Sequence, residues 1–218
     1  MPVEVINGID IYYECHGDNK NQDAIVLLHH GFGCTKIWKE IYPALAESDY
    51  RILMYDRRGY GRSEEGPGFM DFYVSDRFRS ESVAEMRALV YAVGMERFHV
   101  IGQCEGGVVA ADYAAMHPDQ VKSMVISSTQ CFSTVPMTQK NALDFPKPFS
   151  ELEPELQAKV KEWHGDKAAP LFDQFRRFGG AYGRDIFDLR PVLSSIECPT
   201  LVLYLSLIHI SEPTRLRR

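Results

Sequence analysis

The chain has 218 residues, 45% of them hydrophobic, which is enough for one sizeable core carrying an insertion. Its 24 basic and 30 acidic side chains leave a formal net charge of −6, no footprint for nucleic acid or an anionic membrane, so the expected partner is a small, largely uncharged molecule. The opening MPVEVINGIDIYYECHG lacks a basic segment followed by an apolar run, and no uninterrupted stretch approaches membrane-spanning length, so a soluble, cytoplasmic protein is expected.

In chain order, VEVI and IDIYYEC flank Asn7-Gly8, a pair suited to a type I′ turn, and predict an opening antiparallel hairpin. AIVLLHH is a continuous apolar run, as expected of a strand buried on both faces; TKIWKEIYPALAES follows with helical spacing, and YRILMYD repeats the strand pattern. DRRGYGRSEEGPG reads as loop. From about Ser80, SESVAEMRALVYAVG puts Val83, Met86, Leu89, Val90 and Val93 on one helical face and ends at Gly94, a plausible C-cap. RFHVIGQ, EGGVVAADYAAMHP and VKSMVISST then give strand, helix and strand. Such alternation predicts an α/β fold with a mostly parallel sheet covered on both faces. It breaks between Cys131 and Arg190, where ELEPELQAKVKEWHG and PLFDQFRRFGG predict helices, and resumes with the strand PTLVLY.

Chemistry concentrates at Gly102-Gln103-Cys104-Glu105-Gly106, a G-x-Nu-x-G pattern in strand-turn-helix context. A nucleophile on so tight a turn needs neighbours without a Cβ, hence Gly102, Gly106 and the additional Gly107. The helix N-terminus behind it favours a thiolate. The competing readings are a buried structural thiol and a phosphate-binding turn, although neither GxGxxG nor GxxxxGK[ST] occurs. Cys15, Cys34, Cys104, Cys131 and Cys198 contain no CxxC pair, so neither a zinc site nor a disulfide framework is signalled. Two readings of Glu105 stand: a solvated acid at a helix start, or a group that orders substrate or disfavours the thiolate.

His30-Gly31-Phe32-Gly33 after the first central strand, DRRGYGRS after the next, and GQCEGG, in this order, resemble the α/β-hydrolase superfamily, in its cap-bearing esterase, lactonase and peroxidase-like branch, over residues 3 to about 204. The resemblance implies an α/β-hydrolase fold with an N-terminal hairpin and an inserted helical cap. It divides the chain into a core at 1–131, a cap at 132–190 and a return strand at 191–204. It also implies that Cys104 attacks a carbonyl carbon, that the N–H groups of Phe32 and Glu105 hold the oxyanion beside Gly31, and that a histidine moves the proton. Trp38 and Phe132, with Trp163 and Phe172, would line the substrate pocket or else form a cap core. No metal or organic cofactor is implied.

Cysteine at the elbow is similar to dienelactone hydrolases (G-x-C-x-G) and to polyhydroxyalkanoate synthases (G-x-C-x-G-G). The NGIDIYYECHG opening and short chain favour hydrolysis of a small ester, lactone or thioester over acyl transfer to a polymer. A non-catalytic member binding a small ligand under the cap is the alternative from another class. Relatives carry the acid and the histidine beyond the strand CPTLVLY, where LSLIHISEPTRLRR stands instead. Residues 205–215 match, codon by codon, a translated transposon-type sequencing adapter. Residues 205–218 are therefore expected to be non-native, His209 not to be the base, and this fragment to lack triad chemistry. His29 and His30 point to opposite faces of a strand, and His16, His99, His117 and His164 are expected to be solvated or structurally hydrogen-bonded.

Overall fold

A computed structural model describes residues 2–17 and 23–204. The tail read as adapter, with His209, lies outside the described residues.

Asn7 and Gly8 take φ of 51° and 80°, as a type I′ turn requires, and pair β1 (Val3–Ile6) antiparallel with β2 (Ile9–His16). β2 in turn runs antiparallel to β4 (Arg51–Tyr55). From there the sheet is parallel through β3 (Ala24–Leu28), β5 (Phe98–Gln103), β6 (Val121–Ser127) and β7 (Thr200–Leu203), giving seven strands in the order β1-β2-β4-β3-β5-β6-β7. Every residue of β3 is buried, and alternate side chains serve the two faces. Ile25 and Leu27 pack with Trp38, Ile52 and Met54 beneath α1 (Tyr42–Glu47). Val26 and Leu28 join the larger core under α3 (Phe78–Ala92) and α4 (Glu105–Met116). Val83, Met86, Leu89 and Val90 of α3 point into that core, as the spacing predicts.

The helix expected over TKIWKEIYPALAES is broken. Thr35–Trp38 is a 3-10 turn and α1 begins only at Tyr42, with Pro43 in its first turn. Proline has no N–H to donate to the preceding turn, so it can open a helix but not continue one. Two short helices, α2 (Phe69–Tyr73) and α5 (Met137–Asp144), are too brief to show a periodic pattern and were not expected.

Between β6 and β7 the chain leaves the sheet for α5, α6 (Pro154–His164), α7 (Ala168–Phe178) and α8 (Arg190–Leu193). This segment has a small core of its own, Phe149, Val160, Ala168 and Phe172, against which Phe32 and Phe145 pack. A side chain from the loop after β3 is thus shared with the insertion. β7 pairs with β6 alone among the described strands, and Leu201, Val202 and Leu203 are all exposed. No helix among the described residues is long and apolar enough to cross a membrane.

Candidate active site

Cys104 links β5 to α4 with φ 53° and ψ −116°, a conformation that L-residues avoid unless their surroundings impose it. The glycines explain how the turn is tolerated. A Cβ at Gly102 would lie 2.5 Å from the Gly106 carbonyl oxygen, and one at Gly106 would overlap the Leu28 and His29 carbonyls. At Gly107 it would meet the Thr129 hydroxyl. Only bare backbone lets α4 approach β3 and β5 this closely.

The thiol is half-buried, and burial raises its pKa. Against that, the Tyr182 hydroxyl 3.6 Å away and the backbone N–H groups of Glu105 and Gly31 favour the thiolate, while the Glu105 carboxylate opposes it. Phe32 is placed differently from the expectation. Its N–H points to the Nδ1 of His30 at 3.4 Å, because the turn that returns Gly33 N–H to the His30 carbonyl folds the His30 ring back over it. Gly31, one residue earlier, is the loop residue whose N–H favours the thiolate. The ring of Phe175 lies where a Cβ of Gly31 would be, so α7 rests directly on this loop.

Glu105 is not a solvated helix-start acid: it is fully buried beneath the elbow. Its Oε1 receives Arg57 Nη1 at 2.5 Å and the Tyr60 hydroxyl at 3.2 Å. The Arg57 guanidinium lies 4.8 Å over the Tyr60 ring, and its Nη2 donates to the His29 and His30 carbonyls at 3.3 Å. A buried carboxylate is retained only when paired, and DRRGYGRS supplies both partners. In the same motif Asp56, also buried, accepts the N–H groups of Thr35 (2.7 Å) and Arg62 (2.9 Å), fixing the loop after β4 against the segment after HGFG.

No described histidine hydrogen-bonds the thiol. The Nε2 of His29 accepts the Arg57 N–H at 3.1 Å, so its proton sits on Nδ1, facing the His30 carbonyl at 2.8 Å; burial, then Arg57, holds it well below the ordinary histidine pKa. Burial, then Arg57, pushes His30 down to about 4. His164 ends α6 with Nδ1 accepting Gly61 N–H at 2.8 Å and Nε2 donating to the Phe32 carbonyl at 2.9 Å, and so ties the insertion to both loops.

Two expected pocket walls lie elsewhere. Trp38 belongs to the core cluster under α1, because its 3-10 turn packs it against the Ile25 and Leu27 face of the sheet. Phe132 is 49% exposed, with the Arg190 guanidinium 4.9 Å over its ring, since it leaves β6 at the outer end of the insertion and bridges to Asp188. The aromatic wall next to the loop is instead Phe32, Phe145, Phe172 and Phe175, with ring centroids 5.4 to 5.9 Å from that of Phe32. Phe175, Arg57 and Tyr182 escaped the sequence reading; the one signal for Phe175 was the bare Gly31. Among the described residues no group of three or more His, Cys, Asp or Glu side chains is placed to hold a metal ion.

Fold, elbow and ordered loops together define the class, and comparison with known proteins agrees: the model of the alpha/beta hydrolase fold matches residues 23–166. The chain belongs to the alpha/beta hydrolase fold family. It is 32% identical over 124 residues to a proline iminopeptidase of Lactobacillus helveticus (strain DPC 4571), covering 56% of this chain and 41% of that one. It is 29% identical over 201 residues to an AB hydrolase superfamily protein of Gibberella zeae, covering 88% and 64%. The crystal structure of the enol-lactonase from Burkholderia xenovorans LB400 superposes with a TM-score of 0.68 at 21% identity, covering 92% of this chain and 80% of that one, a likeness of fold. The chain thus spans between 41% and 64% of the length of these two curated relatives.

Proposed function

We propose that this chain carries the nucleophile and oxyanion side of a hydrolase that cleaves a small ester, lactone or thioester through an acyl-enzyme on Cys104. The observation that carries the reading is the Cys104 backbone, held at positive φ in a strand-turn-helix where only glycines fit around it. A structural thiol needs none of this. The Cys104 thiolate attacks the carbonyl carbon; the S–C bond forms as the bond to the leaving oxygen or sulfur breaks, and the thiol proton ends on the leaving group. The developing oxyanion is received by the Glu105 N–H and the Gly31-Phe32 loop. Water then releases the acid and restores the thiol.

In this reading residues 132–190 act as a cap, and Phe32, Phe145, Phe172 and Phe175 favour an apolar acyl group. A second reading, a ligand-binding member without turnover, is favoured by the lack of any described imidazole at the thiol. Transfer of the acyl group from a series of p-nitrophenyl esters, thioesters and lactones to this chain, read by mass spectrometry, separates the two. Cys104→Ala is expected to abolish that transfer; equal acylation of the variant and the parent chain would refute the nucleophile role.

A further inference from the structure

After α7 the chain reads Gly179-Gly180-Ala181-Tyr182-Gly183, and its three glycines take φ of 74°, 54° and 69°. Gly180–Tyr182 is a single 3-10 turn seated on the elbow. A Cβ at Gly180 would overlap the Oε2 of Glu105, an oxygen that is buried with no hydrogen-bond partner among the described residues. Only glycine permits that approach, and the approach is what delivers Tyr182. Its hydroxyl stands 3.6 Å from Cys104 Sγ and accepts the Gln130 N–H at 3.4 Å, so its own proton is left for the sulfur. The ring is 7% exposed and set edge-on to Phe187 at 4.9 Å, which fixes its direction.

From this geometry we infer that Tyr182 is a catalytic residue that donates its O–H to the Cys104 sulfur, favouring the thiolate and aiming it. The inference rests on Cys104 being the nucleophile. Tyr182 does not act as a base: burial, then Cys104, raises its phenol far above the ordinary value, so it keeps its proton. It is the side-chain donor that offsets burial and the neighbouring Glu105 carboxylate at the thiol.

The test is the pH dependence of iodoacetamide alkylation at Cys104, located by peptide mass mapping, in the full 218-residue chain and in Tyr182→Phe. The variant is expected to raise the apparent thiol pKa by about one unit and to slow alkylation at pH about 8 roughly tenfold, with circular dichroism unchanged. An unchanged alkylation profile in the folded variant overturns the inference. A reading that does not depend on that variant folding comes from Cys104→Ala, in which the buried phenol loses its acceptor. A tyrosine ultraviolet difference band against the parent chain is expected, and its absence overturns the contact. Alkylation reports on Tyr182 without any ester turnover. A profile that shifts in Tyr182→Phe while p-nitrophenyl acetate fails to acylate Cys104 would therefore uphold the donor and sink the hydrolase reading alone.

Discussion

Glu105 shows how much a single side chain at the elbow depends on residues distant in sequence. Its carboxylate is enclosed by α4, the loop after β4 and the turn after α7, and among the described residues the Arg57 guanidinium supplies the one compensating charge at ion-pair distance. Removing one partner of a buried pair leaves the other charge unpaired, which typically costs about 3–5 kcal/mol. Arg57→Leu is accordingly expected to lower the unfolding free energy by roughly that amount in urea titration, and adding Glu105→Gln to recover part of it. A single variant as stable as the parent chain would mean that the ion pair is not what holds Glu105 in place. The sequence announced the elbow itself, because G-x-Nu-x-G reflects local sterics. It could not announce that Glu105 is buried, since Arg57 stands 48 residues away and DRRGYGRS reads on its own as a solvated loop.

At the scale of elements, strand-helix alternation was legible because β3, β5 and β6 are short apolar runs and α3 has one clear apolar face. The contacts of α6 and α7 with the core were not. They join residues 132 apart at His164 and Phe32, and, in the turn after α7, 78 apart at Tyr182 and Cys104, and no periodic pattern encodes such pairs. His164 makes the attachment testable. It must be neutral to accept from Gly61 while donating to Phe32, and burial lowers its pKa below the ordinary 6.5. A histidine lowered on folding contributes stability that is present above its unfolded value and lost as pH falls through its folded one. Amide exchange in α6 and α7, corrected for its intrinsic pH dependence, is therefore expected to rise as pH falls below 6.5. In His164→Ala, with the tie already absent, that rise is expected to be much smaller. Identical pH responses in the two chains would place the attachment elsewhere.

Over the whole molecule, a mixed sheet carries its site at the carboxyl ends of β3, β5 and β6, where their loops meet the insertion. That placement follows from parallel strands, all of whose carboxyl ends open onto one rim. The opposite property appears at β7, whose Leu201, Val202, Leu203 and Tyr204 are exposed at the side of the sheet away from the hairpin. Among the described residues β7 is an outer strand with apolar side chains and no second strand beside it, which favours association. Sedimentation of the 218-residue chain is expected to show concentration-dependent self-association that Val202→Lys reduces; a parent chain monomeric at every concentration would contradict this. The central claim, that Cys104 is a nucleophile, is tested most directly by intact mass spectrometry after mixing with p-nitrophenyl acetate. One acetyl group per chain is expected, mapped to Cys104 and absent from Cys104→Ala. Acetylation spread over surface lysines with Cys104 unmodified would contradict it.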